Sequence, residues 1–185
     1  MEEYLWKDID LCKFGVLLAL YTGLRIGELC ALLWEDIHDG NIYVNKTLYR
    51  IKNDTKTYVG SFEPKTVSSN RVIPLPSFFL PTVETFRAEG PVLLNSRGRQ
   101  IEPRLMQVIF ARFINECDIP KTNFHALRHT FATRCVEAGF DVKSLSEILG
   151  HSDVKTTLNK YVHSSFEQKR KNMELLHSMA TSRQK

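Results

Sequence analysis

The apolar positions along the chain change period twice. Between Asp8 and Tyr21, Ile9, Phe14, Leu17, Leu18 and Leu20 recur at near-helical intervals until Thr22-Gly23 interrupts them, which predicts a largely buried helix. A second helix is expected from about Arg25 to Trp34, with Leu29, Leu32 and Leu33 facing inward. From Asn41 to about Leu75 the spacing becomes that of strands. Asp39-Gly40 opens a turn and Asn41–Val44 alternates. Thr47–Ile51 and Thr57–Phe62 are rich in β-forming residues around a polar Lys52-Asn53-Asp54 turn, and Arg71–Pro74 adds a short strand. These pieces predict a small antiparallel sheet beside the helices, with residues 64–70 as a mobile hairpin tip. Helical spacing then returns over Pro76–Arg87, with Phe79, Val83 and Phe86 apolar, and over Glu102–Cys117, with Leu105, Val108, Ile109 and Phe113 on the buried face. An extended Val92-Leu93-Leu94 and a Ser96–Arg99 turn lie between them. Thr122 or Asn123 is placed to cap a further helix that Gly139 stops, and Asp141 caps a shorter one carrying Val142, Leu145, Ile148 and Leu149, which Gly150 ends. Ser152 or Asp153 caps a helix whose far end bears Tyr161. An amphipathic helix follows within 165–185, marked by Phe166, Met173, Leu175, Leu176 and Met179. The fold class is therefore α+β, mostly α-helical with a small three-stranded antiparallel β-sheet at one edge.

Composition narrows the setting. With 185 residues, 43% of them hydrophobic and 25% charged, the chain is sized for one globular domain with a sizeable core. No apolar run reaches the roughly 18 residues of a membrane span, and the acidic start Met1-Glu2-Glu3 is unlike a secretory signal, so no membrane association and a cytoplasmic location are expected. Cys12, Cys30, Cys117 and Cys135 are scattered without Cys-x-x-Cys spacing and read as buried free thiols. A net charge of +4 permits nucleic-acid binding without demonstrating it.

Candidate chemistry concentrates between Phe124 and His163. On a helix His125 and Arg128 share a face, presenting a proton-carrying ring and a fixed cation to one point, an arrangement suited to an oxyanion. His151 follows the helix-ending Gly150, where the backbone turns sharply and the ring can leave the helical stack. Tyr161 carries a phenol that is a poor nucleophile at its free pKa of about 10 unless cations and a base surround it. Upstream, Arg25 sits on the first turn of its helix, where free amides already favour an anion but the dipole opposes an arginine; Glu28 is placed to orient the guanidinium.

Taken together, the segments Thr22-Gly23-Leu24-Arg25-Ile26-Gly27-Glu28-Leu29, Pro64-Lys65-Thr66 with Asn70-Arg71-Val72-Ile73-Pro74-Leu75, His125–Thr133, Leu149-Gly150-His151 and Tyr161 resemble the catalytic domain of tyrosine recombinases, the phage-integrase family of phages and conjugative transposons. The resemblance covers nearly the whole chain. It implies a DNA strand transferase in which Tyr161 forms a 3′-phosphotyrosyl bond, Arg25 and Arg128 stabilise the charged phosphorane-like state, His151 adds a donor, and His125 or Lys65 handles protons, Lys65 matching the general acid on the hairpin. Neither ATP nor a metal or other cofactor is implied. The implied partner is double-stranded DNA, with self-association into a tetrameric synapse in the full-length protein and a monomer as an isolated domain.

By the same resemblance, residues 1–165 are the catalytic domain and 166–185 a tail helix that docks on a neighbouring protomer, while the core-binding and arm-binding domains are expected to lie outside this chain. Half of a DNA clamp implies weak, largely nonspecific, salt-sensitive binding. Three other readings use the same residues. A type IB topoisomerase shares the chemistry. A metalloenzyme would use His125 and His129, four apart, but Ala126 stands where a zinc protease has its glutamate, and Arg128 between them repels a cation. A non-catalytic DNA-binding module would leave the histidines as core residues.

Overall fold

Helix α2 (Leu11–Thr22) is the axis of the computed structural model, which describes residues 1–52, 57–62 and 70–161 together with Arg170 and Met173. Its apolar residues run almost all the way round, and Phe14, Val16, Leu17, Leu18 and Ala19 are fully buried, as expected of a helix enclosed by others. Asp10 caps its start by accepting a hydrogen bond from Lys13 N at 2.7 Å. Gly23 ends it in the left-handed conformation at φ 67°, where a Cβ would also lie 2.6 Å from the Phe131 ring.

Packed on α2 are the short helix α1 (Glu2–Trp6), α3 (Ile26–Ala31), α5 (Pro103–Glu116) and α6 (His125–Glu137). Helix α1 has too few residues to show a periodicity and is absent from the sequence reading. Its Leu5 is buried, and its Glu2 accepts hydrogen bonds from Tyr21 Oη and, at 2.8 Å, from Arg134 Nη2. Phe79 and Phe14 stack with centroids 5.7 Å apart, and Trp34 lies 5.8 Å from Phe14, so aromatic area dominates this end of the core. The buried stripe of α5 is Met106, Phe110, Phe113 and Ile114, whereas Val108, expected inside, is 62% exposed. The stripe at i, i+4, i+7 and i+8 buries two phenylalanines, and that larger apolar area decides the helix's rotation.

The strands divide into two units. β1 (Ile37–His38), β2 (Asn41–Val44) and β5 (Arg71–Pro74) form the three-stranded antiparallel sheet, with Ile42 opposite Ile73 and Val44 opposite Arg71. β3 (Thr47–Lys52) and β4 (Thr57–Phe62) form a separate antiparallel ribbon. The sequence reading had the strands but assigned the ribbon to the same small sheet and missed β1. The ribbon instead lies against α3, because Gly27 admits it: a Cβ there would come within 2.5 Å of Thr47 Oγ1 and 2.7 Å of Leu48 O. The hairpin tip expected over 64–70 lies outside the described residues up to residue 69.

Chain ends of the helices match their caps in most cases. α4 (Leu80–Phe86) buries Val83, and α7 (Val142–Leu149) is capped by Asp141, which accepts from Lys143 N and Ser144 N at 2.9 and 3.1 Å. α6 differs, since it starts after Phe124 with no side-chain cap, and Asn123 contributes its carbonyl to Ala126 N rather than its side chain. The last described helix is α8 (Val154–Tyr161), where Asp153 Oδ1 accepts from Lys155 N at 2.8 Å. All four cysteines are free thiols; Cys30 and Cys135 are buried, and Cys12 and Cys117 are partly so. Burial pushes the Cys30 thiol up to about 12 and the Cys135 thiol to about 11, which keeps both protonated and unreactive. No described helix is long and apolar enough to cross a membrane.

The close approach at Gly27 is testable. Gly27→Ala gains about 1 kcal/mol of helix propensity but forces α3 and β3 apart, a net destabilisation expected at about 1–2 kcal/mol by urea unfolding.

Candidate active site

The C-terminal end of α7 is where three arginines from three different elements converge. Gly150 takes the left-handed conformation at φ 65° and turns the chain, and His151 N closes the motif by donating to Ser146 O at 3.1 Å. This leaves the last carbonyls of α7 pointing away from the helix. Arg71, from the start of β5, donates Nε to Ile148 O at 2.6 Å. Arg128, from the first turn of α6, donates Nη2 to Leu149 O and Nη1 to Gly23 O at 2.7 Å. Arg25, the N-cap of α3, donates Nη2 to Gly150 O at 3.2 Å. Three consecutive carbonyls at the negative end of a helix dipole thus receive three guanidiniums.

Glu28 binds two of these arginines into one unit. Its Oε1 accepts from Arg25 Nη1 at 2.8 Å and Arg71 Nη1 at 3.0 Å, and its Oε2 accepts from Arg25 N at 2.8 Å and Arg71 Nη2 at 2.9 Å. The bond to Arg25 N is the returning half of a capping box, so a carboxylate answers the free amide and offsets the arginine that opposes the α3 dipole. Glu28 is 6% exposed. Burial alone raises its pKa, but the hydrogen bonds and charge of Arg71, followed by the charge of Arg25, outweigh it and hold the carboxyl below the ordinary value of 4.5.

Exposure separates the arginines. Arg128 is 2% exposed and works as a clamp between the turn at Gly23 and the end of α7. The Arg71 side chain is 5% exposed, while that of Arg25 is 38% exposed, so Arg25 is the one whose side chain reaches solvent. His151 is half-buried, and its Nδ1 lies 2.8 Å from the buried Thr157 hydroxyl of α8, which fixes the ring and ties α8 to the end of α7.

Among the residues proposed from sequence, the fold gathers Arg25, Arg128 and His151 at one point. His125 lies one turn before Arg128 on α6, exposed, with its ring edge-on to His129 at 4.6 Å. Position 161 ends α8, one turn beyond Thr157. The side chain of Tyr161, and Lys65 entirely, lie outside the described residues. Arg71 belongs to one of the sequence motifs but has no role assigned to it by sequence alone. The signal was present: Arg71 and Ile73 share one face of β5, Ile73 is 2% exposed, and an arginine on the inward face of a strand requires partners.

Residues 11–168 match the model of the family described as the phage integrase family. A tyrosine recombinase XerC-like protein of Caldanaerobacter subterraneus subsp. tengcongensis is 31% identical over 188 residues, covering 88% of this chain and 48% of that protein. The transposase from transposon Tn916 of Enterococcus faecalis is 29% identical over 177 residues, covering 82% of this chain and 42% of the transposase. A solved structure of the Tn1549 transposon integrase in complex with transposon right end DNA superposes with a TM-score of 0.76 at 30% identity, covering 95% of this chain and 62% of that one. The chain spans about half the length of the curated relatives it matches.

Two outcomes follow from this geometry. Arg128→Ala strands two carbonyls inside the molecule and is expected to cost about 3 kcal/mol or more, whereas Arg25→Ala, at a half-exposed position, costs about 1 kcal/mol; chemical denaturation of the two variants measures the difference. Glu28 has a folded-state pKa below its unfolded value, so its stabilisation is complete above pH 4.5 and is lost as pH falls below that. Glu28→Gln is therefore less stable than the parent at neutral pH, and the gap narrows in urea titrations run at successively lower pH under 4.5.

Proposed function

The chain belongs to the phage integrase family, and we propose that it is the catalytic domain of a site-specific tyrosine recombinase that cuts and rejoins DNA strands during integration and excision of a mobile element. The observation that carries this reading is the convergence of Arg25, Arg128 and His151 on the end of α7, from which α8 runs directly to Tyr161. Fixed cations at one point, next to a helix that ends at a tyrosine, support the cleavage of a phosphodiester by that residue.

In the proposed reaction the Tyr161 oxygen attacks phosphorus as its proton passes to His125, and the new bond is a 3′-phosphotyrosyl ester. The bond to the 5′-oxygen breaks, and Lys65 donates the proton that makes the 5′-hydroxyl a leaving group. Charge that builds on the non-bridging oxygens is met by a hydrogen bond from Arg25 and by the positive charge of the buried Arg128 behind it, with a further donor from His151. A 5′-hydroxyl from another strand reverses these steps and completes the exchange. The ester link conserves the bond energy, so the cycle as written consumes no ATP.

Exchange needs a second duplex and a second nucleophile, so the reading extends to double-stranded DNA as partner and to self-association on it. It further assigns catalysis to residues 1–165 and a docking tail to 166–185, and places the reaction with the DNA in the cytoplasm. The net charge of +4 is compatible with the partner.

A nicked suicide duplex carrying the attachment sequence tests the proposal, because loss of the short fragment past the nick traps the covalent product. A denaturation-resistant adduct is expected, retained with chelator and abolished in Tyr161→Phe. Cleavage that depends on added metal and survives Tyr161→Phe sinks the proposal. Relaxation of supercoiled plasmid without exchange between two sites transfers the activity to the topoisomerase class.

A further inference from the structure

Glu28 is flanked by two guanidiniums, and only one of them faces solvent. We infer that Arg71 is a positioning residue that takes up the charge of Glu28, so that Arg25 keeps an uncompensated positive charge for DNA phosphate. The inference rests on the proposed role of Arg25 at the scissile phosphate.

Charge counting at the pair makes the argument. Arg25 and Glu28 alone sum to zero, and an arginine engaged by its own carboxylate through Nη1 at 2.8 Å is a poor anion ligand. Arg71 adds a second guanidinium to the same carboxylate, at 2.9 and 3.0 Å, so that these three side chains sum to +1. Its side chain is 5% exposed against 38% for Arg25, so the excess charge appears at the solvent side, on Arg25. Orientation is preserved at the same time. Glu28 still holds Arg25 Nη1 and Arg25 N, and Arg71 Nε still holds Ile148 O, one residue before the carbonyl that Arg128 grips. Arg71 also begins β5, so the strand that leaves the Lys65-bearing segment starts at this carboxylate.

A structural anchor and a charge partner predict opposite results when Glu28 is neutralised as well. Arg71→Gln leaves Glu28 to cancel Arg25. In that variant the dependence of log K on log salt, for a short duplex of random sequence, becomes shallower by about 0.9, the equivalent of one phosphate contact. The rate of adduct formation on the nicked suicide duplex falls by about ten- to a hundredfold. Adding Glu28→Gln to Arg71→Gln returns the net charge to +1, and both the salt slope and the rate recover towards the parent. Arg71→Lys, which keeps the charge but not the paired hydrogen bonds, retains most of both, and it carries the test if Arg71→Gln shows no cooperative thermal transition.

A double variant that is no better than Arg71→Gln, or an Arg71→Lys that falls as far as Arg25→Ala, overturns the inference. The two claims fail separately. Slopes as expected with no adduct in the parent protein remove the strand-transfer reading and leave the charge role standing. Adduct in the parent with unchanged slopes and no rescue removes the role of Arg71 alone.

Discussion

A helix that ends inside a protein leaves carbonyl groups that something must satisfy, and the end of α7 is the place where this requirement shapes the molecule. Ile148, Leu149 and Gly150 receive their hydrogen bonds from Arg71, Arg128 and Arg25, which come from a strand and two helices widely separated in sequence. Each bond draws its element towards the same point, so satisfying a helix terminus and gathering positive charge are accomplished together. The glycines at 23 and 150 make it possible by turning the chain where side chains with a Cβ resist turning. Among the described residues no buried side-chain nitrogen or oxygen lacks a partner.

The arrangement also resolves a conflict visible at Arg25. An arginine at the start of a helix opposes the dipole, and a carboxylate that relieves the conflict threatens to cancel the charge. Glu28 relieves it, and Arg71 supplies a second cation on the same carboxylate. Burying Glu28 among two guanidiniums costs desolvation, which the hydrogen bonds from Arg71 and Arg25 offset well enough to keep the carboxyl ionised.

Much of this was legible in the residues alone where punctuation is local. Gly23, Gly139, Asp141 and Gly150 mark helix ends from which the central helices followed, and alternation between turn residues marked the strand segments. What escaped depends on tertiary partners. Val108 fits a helical stripe as well as Phe110 does, and the choice between them belongs to the surface that α5 meets. The separation of the ribbon from the sheet depends on the close contact at Gly27, which no spacing rule contains. Arg71 looked like a polar residue opening a strand until Glu28, distant in sequence, appeared opposite it. His151 was expected at the turn after α7, but its bond to Thr157 required α8 to fold back.

Arg128 has one further consequence. Because it is sealed beneath the surface and holds two turns of the backbone together, selection for a folded chain is by itself enough to retain this side chain. A copy of the gene relieved of any need for activity would still be unable to drift at this position, whereas the half-exposed Arg25 would be held far less by architecture. Decay in such lineages is channelled towards the solvent-facing members of the arginine cluster.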